Sequence, residues 1–265
     1  MSAIAVIGNL SRDVVGGAEP RPGGGVFYAA RALGKLKADA HVAAACAPGD
    51  RDDLLPSLEA FGLPVTWHEA AETTAYSFHY EGDRRIMSQD AVGDTWTPKR
   101  AVEAAGDASW VNVCALVRTH FPPATLGALA AGGRRLLVDA QGLVRRPELG
   151  PLRTDGLIGD ALDHISVLKL NDEEAETLVG SAEPEKLRGL GVPEVLLTLG
   201  SRGAYVVTAD SIEHLPADPV DGQVDPTGAG DTFSAGYLTA RIAGAEPVEA
   251  ARAATATAGQ LLRSF

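Results

Sequence analysis

The nine residues Asp225–Pro–Thr–Gly–Ala–Gly–Asp–Thr–Phe233 (DPTGAGDTF) are the most informative stretch of the sequence. Within it, the small residues Gly228, Ala229 and Gly230 stand where a loop turns into a long predicted helix. The start of a helix presents unpaired backbone N–H groups and the positive end of the helix dipole, and both stabilise a bound anion. Glycine lets the backbone approach a ligand closely because it has no β-carbon. The stretch therefore predicts an anion hole built from backbone N–H groups.

Asp231 follows the glycines in the first predicted turn of that helix. A carboxylate beside a bound phosphate is electrostatically unfavourable unless it has a chemical task, such as accepting the proton of an attacking hydroxyl. Phosphoryl transfer needs both parts, a site for the developing negative charge and a base beside the nucleophile. On a bare Gly-x-Gly-Asp the alternative stays open that Asp231 is only an acidic residue favoured by the helix dipole.

Outside this stretch, short apolar runs alternate with amphipathic segments along nearly the whole chain. Most runs are continuously apolar, as in strands buried on both faces of a parallel sheet. The predicted strands are Ala3–Gly8, His41–Ala47, Trp110–Val117, Arg135–Ala140, His164–Leu170, Glu194–Gly200 and Gly203–Ala209. The predicted helices are Phe27–Lys37, Asp53–Phe61, Pro98–Ala105, Pro123–Ala131, Glu173–Val179, Pro184–Leu190, Gly228–Ile242 and Pro247–Arg263. This alternation predicts a doubly wound α/β fold in a single domain, residues 1–265.

Two segments interrupt the alternation. Residues 10–25 are rich in Gly and Pro. Residues 65–92 contain Tyr76, Phe78 and Tyr80 with period-2 spacing, followed by a Glu-Gly-Asp turn, and this pattern predicts a β-hairpin with one apolar face. We expect the two segments to form a small β lid over a site at the strand ends. A plain extension of the sheet edge is the alternative.

The composition disfavours several classes of partner. The chain has 265 residues, 45% of them hydrophobic, with 23 Lys+Arg against 35 Asp+Glu and a formal net charge of −12. These values are typical of a soluble globular protein, and the acidic balance disfavours nucleic acid and anionic membranes. The longest uncharged run, Thr119–Gly133, is shorter than the roughly 20 residues of a membrane span. We expect a cytoplasmic protein with no nucleic-acid or membrane partner.

The stretch DPTGAGDTF resembles the C-terminal signature of the PfkB carbohydrate kinases, also called the ribokinase family. Further segments resemble family motifs in the family's order. They are Gly8–Asn9 with Asp13, Gly24–Gly25, Asn171–Glu174 and Thr198–Gly203. The resemblance covers essentially the whole chain and implies a ribokinase-like fold, with a doubly wound, mostly parallel sheet flanked by helices and a small β lid. It also implies ATP as phosphoryl donor, Mg²⁺, and a small-molecule alcohol as acceptor.

The resemblance assigns catalytic and acceptor-binding roles to particular residues. Asp231 is similar to the family's catalytic base, and residues 228–230 are similar to its anion hole. Asp13 resembles a residue that binds neighbouring hydroxyls of a polyol, with a turn-forming Asp as the alternative. Gly24 and Gly25 are implied to let the acceptor touch the backbone, and a flexible loop is the alternative.

On the donor side, the resemblance implies that Asn171 and Glu174 organise Mg²⁺ and phosphate, with Glu174 acting on Mg²⁺ through water. A helix N-cap followed by dipole-favoured acids is the alternative, and both descriptions can hold together. Asp225 resembles a position that binds a monovalent cation such as K⁺ in some family members. The residues implied to line the nucleotide site are Thr198, Gly200 and Gly203.

The acceptor side departs from the sugar-kinase pattern. Many sugar kinases of the family have an Asn a few residues after the di-glycine, whereas this chain has Phe27 and Tyr28 there and no Asn. The two aromatic side chains could stack on an acceptor ring or belong to the core. The segment VDAQGLVR ends a predicted strand and resembles the inositol-kinase-like branch. Its polar side chains are predicted to contact acceptor hydroxyls or phosphate. They are Asp139, Gln141 and Arg145. For Arg145, a solvated side chain is the alternative.

The predicted function is the ATP-dependent transfer of a phosphate to a hydroxyl of a small sugar or an inositol-like cyclitol. A nucleoside kinase of the same family and a catalytically silent ligand-binding relative are the alternatives. A nicotinamide-dependent oxidoreductase is disfavoured because no Gly-x-Gly-x-x-Gly follows the first predicted strand. The apolar face on Tyr76 and Phe78 is compatible with a homodimer formed through the lid.

Overall fold

A computed structural model of the protein describes residues 3–81, 84–217 and 226–262. The strands in these residues are β1 (Ile4–Asn9), β2 (Ser11–Val15), β3 (Arg21–Gly23), β4 (Ala40–Cys46), β5 (Val65–Glu69), β6 (Thr74–Glu81), β7 (Arg84–Ala91), β8 (Trp110–Cys114), β9 (Arg135–Asp139), β10 (Gly150–Pro151), β11 (Val167–Asn171), β12 (Glu194–Thr198), β13 (Ala204–Thr208) and β14 (Ile212–Leu215). The α-helices there are α1 (Gly25–Leu36), α2 (Arg51–Glu59), α3 (Pro98–Ala105), α4 (Pro123–Ala130), α5 (Gln141–Val144), α6 (Asp172–Val179), α7 (Pro184–Leu187), α8 (Ala229–Ile242) and α9 (Pro247–Leu262).

The main sheet has nine strands in the order β14-β13-β12-β11-β9-β8-β1-β4-β5. The strands from β12 to β5 are parallel to one another, and β13 and β14 extend the sheet as antiparallel edge strands. This order confirms the predicted doubly wound, mostly parallel sheet. The chain crosses from β1 outwards in both directions, which places a ligand site at the carboxyl ends of the central strands.

Each face of the main sheet is covered by its own apolar core. In β1, Ile4 and Val6 belong to a core shared with α1, α2, α8 and α9, whereas Ala5 and Ile7 belong to the core shared with α3, α4 and α6. Burial of alternate side chains on opposite faces explains why the central strands are continuously apolar in sequence.

A second sheet of five strands, in the order β10-β7-β6-β2-β3, forms the lid. Residues 10–25 contribute β2 and β3, and the predicted hairpin contributes β6 and β7. The lid segment expected at residues 65–92 is shorter than predicted, because Val65–Glu69 pairs in parallel with β4 at the edge of the main sheet. The hairpin turn at residues 82–83 lies outside the described residues.

The apolar face of the lid hairpin packs against its own chain. Tyr76 is 2% exposed and Phe78 is 4% exposed. These two side chains are therefore covered within a single chain, whereas the side chain of Tyr80 lies outside the described part of the lid. The homodimer through the lid stays a prediction. None of the helices in the described ranges is both long and apolar enough to cross a membrane.

Candidate active site

Polar residues gather where the central strands end and α8 begins. Asp139 and Asn171 are the last residues of β9 and β11, and Asp231 lies in the first turn of α8. The lid approaches the same place through Tyr76, whose hydroxyl donates to the carbonyl of Leu116 just beyond β8, at 3.4 Å. The structure thus brings together residues that the sequence places far apart.

Asp231 is partly buried at this edge of the sheet. Burial raises the pKa of Asp231 to about 6, and the Asp139 carboxylate contributes to the rise. The positive charges of Lys169, Arg145 and Arg31 act in the opposite direction. A carboxylate with this pKa is ionised at neutral pH and is still basic enough to accept a proton from a reacting hydroxyl.

The second glycine of the di-glycine motif makes room for this carboxylate. A β-carbon on Gly25 would lie 2.8 Å from Oδ1 of Asp231 and 3.2 Å from the β-carbon of Cys114. Gly24 is the residue before α1 and has a left-handed φ of +91°. The motif was predicted to contact the acceptor, and that role stays a prediction. What the structure adds is that Gly25 packs directly against the catalytic candidate.

The residues predicted to form the anion hole lie at the start of α8. Gly228 is the N-cap residue, and the N–H of Ala229 donates to the carbonyl of Pro226 at 3.0 Å. The N–H groups of Gly230 and Asp231 have no hydrogen-bond acceptor among the residues that the structure describes. These two groups, rather than Ala229, are therefore the donors available to an anion.

Lys169 is a residue of the site that the sequence analysis missed. It lies in β11, is 6% exposed, and donates from Nζ to Oδ2 of Asp139 at 2.8 Å. A β-carbon on Gly230 would lie 2.7 Å from Nζ, so the ammonium group packs against the first turn of α8. One sequence signal was available, a lysine inside the apolar run between Leu168 and Leu170, because a charge in a buried strand requires a partner.

Asp13 and Tyr28 form the side of the site that the sequence assigns to the acceptor. Asp13 is 6% exposed in β2, and its Oδ1 accepts a hydrogen bond from the Ser11 hydroxyl at 2.7 Å. Burial, followed by the Asp13 carboxylate, raises the pKa of Tyr28 to about 12. The ring of Tyr28 packs against Gly228. Tyr28 therefore lies between the predicted acceptor residue and the anion hole.

The sequence leaves open whether Phe27 and Tyr28 belong to the core or stack on an acceptor ring. Phe27 packs edge-on against Phe61, with 5.1 Å between ring centroids, and contacts the apolar core. Phe27 is thus a core residue, and Tyr28 lines the site.

Arg145 faces the site from below the lid. Burial raises the pKa of Tyr76, while the charge of Arg145 and a hydrogen bond from it lower that pKa. The same guanidinium lowers the pKa of Asp231 and of Glu174. Arg145 is only partly exposed. It is therefore one of the cations of the site rather than a solvated residue.

Asp139 and Gln141 stand at the junction of β9 and α5. Oδ2 of Asp139 accepts from Lys169, and Oδ1 accepts from the backbone N–H of Gln141 at 3.1 Å. Both oxygens of Asp139 are thus engaged by the protein. The predicted direct contact of Asp139 with an acceptor hydroxyl would have to share these oxygens.

Asn171 and Glu174 form a capping box at the start of α6. The Asn171 side chain accepts from the N–H of Glu174 at 2.8 Å, and Oε2 of Glu174 accepts from the N–H of Asn171 at 2.9 Å. The N-cap alternative is therefore confirmed. Glu174 is also 7% exposed, and burial, reinforced by Asp139, raises its pKa to about 7.

The predicted nucleotide-site residues lie on the neighbouring strand. Thr198 is in register with Asn171, and its hydroxyl donates to the carbonyl of Leu170 at 3.2 Å. Gly200 and Gly203 belong to the turn between β12 and β13. Arg202 of this turn donates to the Asp172 carboxylate at the start of α6, at 2.7 Å. The role of these residues in nucleotide binding stays a prediction.

The donor set fits a Mg²⁺ ion held chiefly by phosphate and water. Glu174 has one carboxylate oxygen committed to the capping box, and its other oxygen has no hydrogen-bond donor among the residues that the structure describes. Mg²⁺ is usually bound by one or two carboxylates together with phosphate and water oxygens. Within residues 3–81, 84–217 and 226–262, no three His, Cys, Asp or Glu side chains are grouped as a metal site of their own. The predicted cation residue Asp225 lies outside the described residues.

Comparison with known proteins decides the family. The model of the pfkB family carbohydrate kinases matches residues 6–265. The chain belongs to this family. The ribokinase of Bacillus subtilis (strain 168) is 26% identical over 100% of this chain and 94% of its own length. Members of the family are phosphotransferases that act on sugar hydroxyls, and this chain is a phosphotransferase of the family.

Solved structures agree with this assignment. A pyrophosphate-dependent kinase in the ribokinase family, complexed with a pyrophosphate analog and myo-inositol, superposes with a TM-score of 0.87 and 25% identity over 98% of this chain and 95% of that one. Arabidopsis thaliana ribokinase complexed with ribose and ATP superposes with a TM-score of 0.75 and 19% identity. This match covers 99% of this chain and 93% of that one. The PfkB resemblance and the ribokinase-like fold predicted from the sequence are confirmed.

Proposed function

We propose that this kinase transfers the terminal phosphate of ATP to a hydroxyl of a small polyol, a sugar or an inositol-like cyclitol, with Asp231 as the general base. The observation that carries the proposal is the position of Asp231. It lies in the first turn of α8, where two backbone N–H groups have no acceptor among the described residues, and its pKa is raised to about 6. A base and an anion site are thus adjacent, as phosphoryl transfer requires.

In the proposed mechanism, Asp13 and Tyr28 orient the acceptor so that one hydroxyl meets Asp231. Asp231 accepts the hydroxyl proton as the oxygen attacks phosphorus. The N–H groups of Gly230 and Asp231 donate to the oxygens of the phosphoryl group, where negative charge develops. Arg145 and the lid residue Tyr76 border the same space, which shields the reacting hydroxyl from water. Mg²⁺ bound with the donor, and contacted by Glu174 through water, would neutralise phosphate charge.

The inositol-like acceptor is supported by two observations. The solved kinase that contains myo-inositol is 25% identical to this chain over almost its whole length. In addition, Tyr28 rather than an Asn lines the site just after the di-glycine, unlike the sugar-kinase pattern. A ring with one apolar face and several hydroxyls suits a pocket made of a tyrosine ring and the Asp13 carboxylate.

Pyrophosphate is a second candidate donor. The kinase with a TM-score of 0.87 to this chain is a pyrophosphate-dependent enzyme. Pyrophosphate carries no base or ribose, so that it would be held by the anion hole and nearby cations alone. The site contains such cations in Lys169 and Arg145.

A donor-by-acceptor matrix tests the proposal. The purified protein is incubated with Mg²⁺, with either ATP or pyrophosphate, and with myo-inositol, ribose, fructose or inosine, and phosphorylated products are detected by ³¹P NMR. We expect turnover on a polyol, fastest with myo-inositol. Turnover on inosine alone would identify a nucleoside kinase instead. Binding without turnover on any of these acceptors would favour the catalytically silent alternative.

A further inference from the structure

Lys169 is a charged side chain in the interior of the main sheet. It is 6% exposed, and its one hydrogen bond within the described residues is to Asp139, at 2.8 Å. A buried ion pair adds little stability over well-packed apolar side chains, because the cost of desolvating both charges offsets their attraction. Stability alone therefore does not explain why a lysine occupies this strand.

The ammonium group lies at the anion hole. A β-carbon on Gly230 would lie 2.7 Å from Nζ of Lys169. Gly230 supplies one of the two N–H groups at the start of α8 that have no acceptor among the described residues. The positive charge of Lys169 also lowers the pKa of Asp231, the proposed base. The lysine is thus adjacent both to the N–H groups that would bind phosphate and to the group that would accept the proton.

Two of the three N–H donors of Lys169 are uncommitted in the described part of the chain. Asp139 accepts one of them, and no second acceptor lies within hydrogen-bond distance there. Another ion pair, Glu194 with Arg241, is different. Its carboxylate accepts from Arg241, at 2.6 Å, and from the hydroxyl of Tyr237, and the other terminal nitrogen of Arg241 donates to the carbonyl of Ala245. Both terminal nitrogens of this cation are therefore committed to the protein.

The lysine also keeps its charge. Burial by itself lowers the pKa of Lys169, but the carboxylates of Asp139 and Glu174 outweigh this effect and hold the pKa above its ordinary value. An ammonium group paired with a carboxylate at 2.8 Å, with two donors uncommitted in the described residues and backbone N–H groups beside it, is suited to bind the oxygens of a phosphate.

We infer that Lys169 binds the phosphoryl group while it is transferred, with Asp139 as its counter-ion when no phosphate is present. This inference rests on the proposed function. In the step, the acceptor O–H proton passes to Asp231, the acceptor oxygen forms a bond to phosphorus, and the bond from phosphorus to the donor breaks with its electron pair on the leaving phosphate oxygen. Lys169 keeps its proton and donates hydrogen bonds to a non-bridging oxygen throughout.

The test compares the Lys169→Met variant with the double variant Lys169→Met/Asp139→Asn. The single variant leaves a buried carboxylate without its partner, whereas the double variant removes both charges and needs no ion pair to fold. We expect kcat to fall about 100-fold or more in both, as for the loss of one donor to a developing oxyanion. The KM of the acceptor should change less than threefold. Lys169→Arg, which keeps the charge, should retain more activity than Lys169→Met.

Recovery of kcat to within threefold of the wild type in the double variant would overturn the inference, because it would make the lysine a structural partner of Asp139. Arg241→Met serves as the matched control. It breaks the ion pair with Glu194 and should lower the thermal midpoint while kcat stays within threefold of the wild type.

A binding measurement separates this inference from the proposed function. Calorimetric titration with inorganic pyrophosphate, without acceptor, needs no turnover. We expect the wild type to bind pyrophosphate and both Lys169→Met variants to bind it at least tenfold more weakly. Equal affinity in wild type and variants would overturn the role of Lys169 even if the enzyme phosphorylates a polyol. Weakened binding would support it even if every acceptor in the panel failed.

Discussion

Gly25 and Asp231 occupy adjoining space, and a β-carbon on Gly25 would lie 2.8 Å from Oδ1 of Asp231. One residue begins the first helix, and the other lies in the first turn of α8, near the opposite end of the chain. The contact unites the di-glycine motif and the DPTGAGDTF motif in a single site. The glycine is therefore required by the position of the carboxylate as well as by any contact with the acceptor.

Gly25→Ala tests this contact. The added methyl group would displace the Asp231 carboxylate, because the β-carbon of Cys114 closes the other side at 3.2 Å. We expect kcat to fall by about 10- to 100-fold, since a misplacement of about 1 Å is enough for such a loss. The control is Gly189→Ala, where a β-carbon would meet no atom within 4 Å. Equal kcat values for the two variants would show that Asp231 tolerates the methyl group.

The raised pKa of Asp231 predicts a stability effect with a defined sign. A carboxyl group whose pKa is higher in the folded state, here about 6, favours the fold when protonated and loses that contribution as the pH rises through the folded value. Asp231→Asn, which cannot ionise, should therefore be more stable than the wild type above pH 6, by about 1–3 kcal/mol.

Urea unfolding of the two proteins at pH 8 and at pH 4 measures this effect. The difference in the free energy of unfolding should shrink towards zero at the lower pH, where both side chains are neutral. A variant less stable than the wild type at pH 8 would mean that the ionised carboxylate is stabilised by its cationic neighbours rather than strained by burial.

Asp13→Asn tests the acceptor side. Asp13 is 6% exposed and shares a hydrogen bond with Ser11, so that the amide should fit the same space. We expect the KM of the acceptor to rise about tenfold or more, because a hydrogen bond to a charged group contributes about 1.5–3 kcal/mol. The KM of the donor should stay within twofold. A larger rise in the KM of the donor than in that of the acceptor would contradict the assignment of Asp13 to acceptor binding.

The ion pair between Glu194 and Arg241 should act on stability alone. Their side chains are 11–14% exposed and 2.6 Å apart, and the pair lies outside the set of residues placed in the site. Glu194→Leu leaves the Arg241 guanidinium without its counter-ion, and we expect a loss of about 2–4 kcal/mol in the free energy of unfolding. Steady-state kinetics at a temperature where the variant is folded should match those of the wild type.

The central strands were predictable because both of their faces are buried. All residues of Trp110–Cys114 and the three central residues of Glu194–Thr198 are buried, nearly all of them apolar, and each strand begins at the residue predicted for it. The strand Arg21–Gly23 was not predicted, because its three residues include a proline and a glycine and it is stabilised by pairing with β2. Short strands of this kind depend on a partner rather than on their own composition.

Residues of the candidate site that belong to a local sequence motif were predictable. Those that enter the site only through packing in the folded chain were not. Asp231 and residues 228–230 were found through their local pattern at a helix start. Lys169 was missed because its role depends on Asp139 and Gly230, which are distant in sequence and meet only in the folded chain. The same reason explains Gly25, whose neighbour Asp231 no local pattern reveals.

The most direct test of the central claim, that Asp231 is the general base, is the kcat of Asp231→Asn with a phosphorylated acceptor at saturating concentrations of both substrates. The claim predicts a loss of about 10³-fold or more, because the amide cannot accept the hydroxyl proton, while the affinity for the acceptor stays within about threefold. A kcat within tenfold of the wild-type value would contradict it.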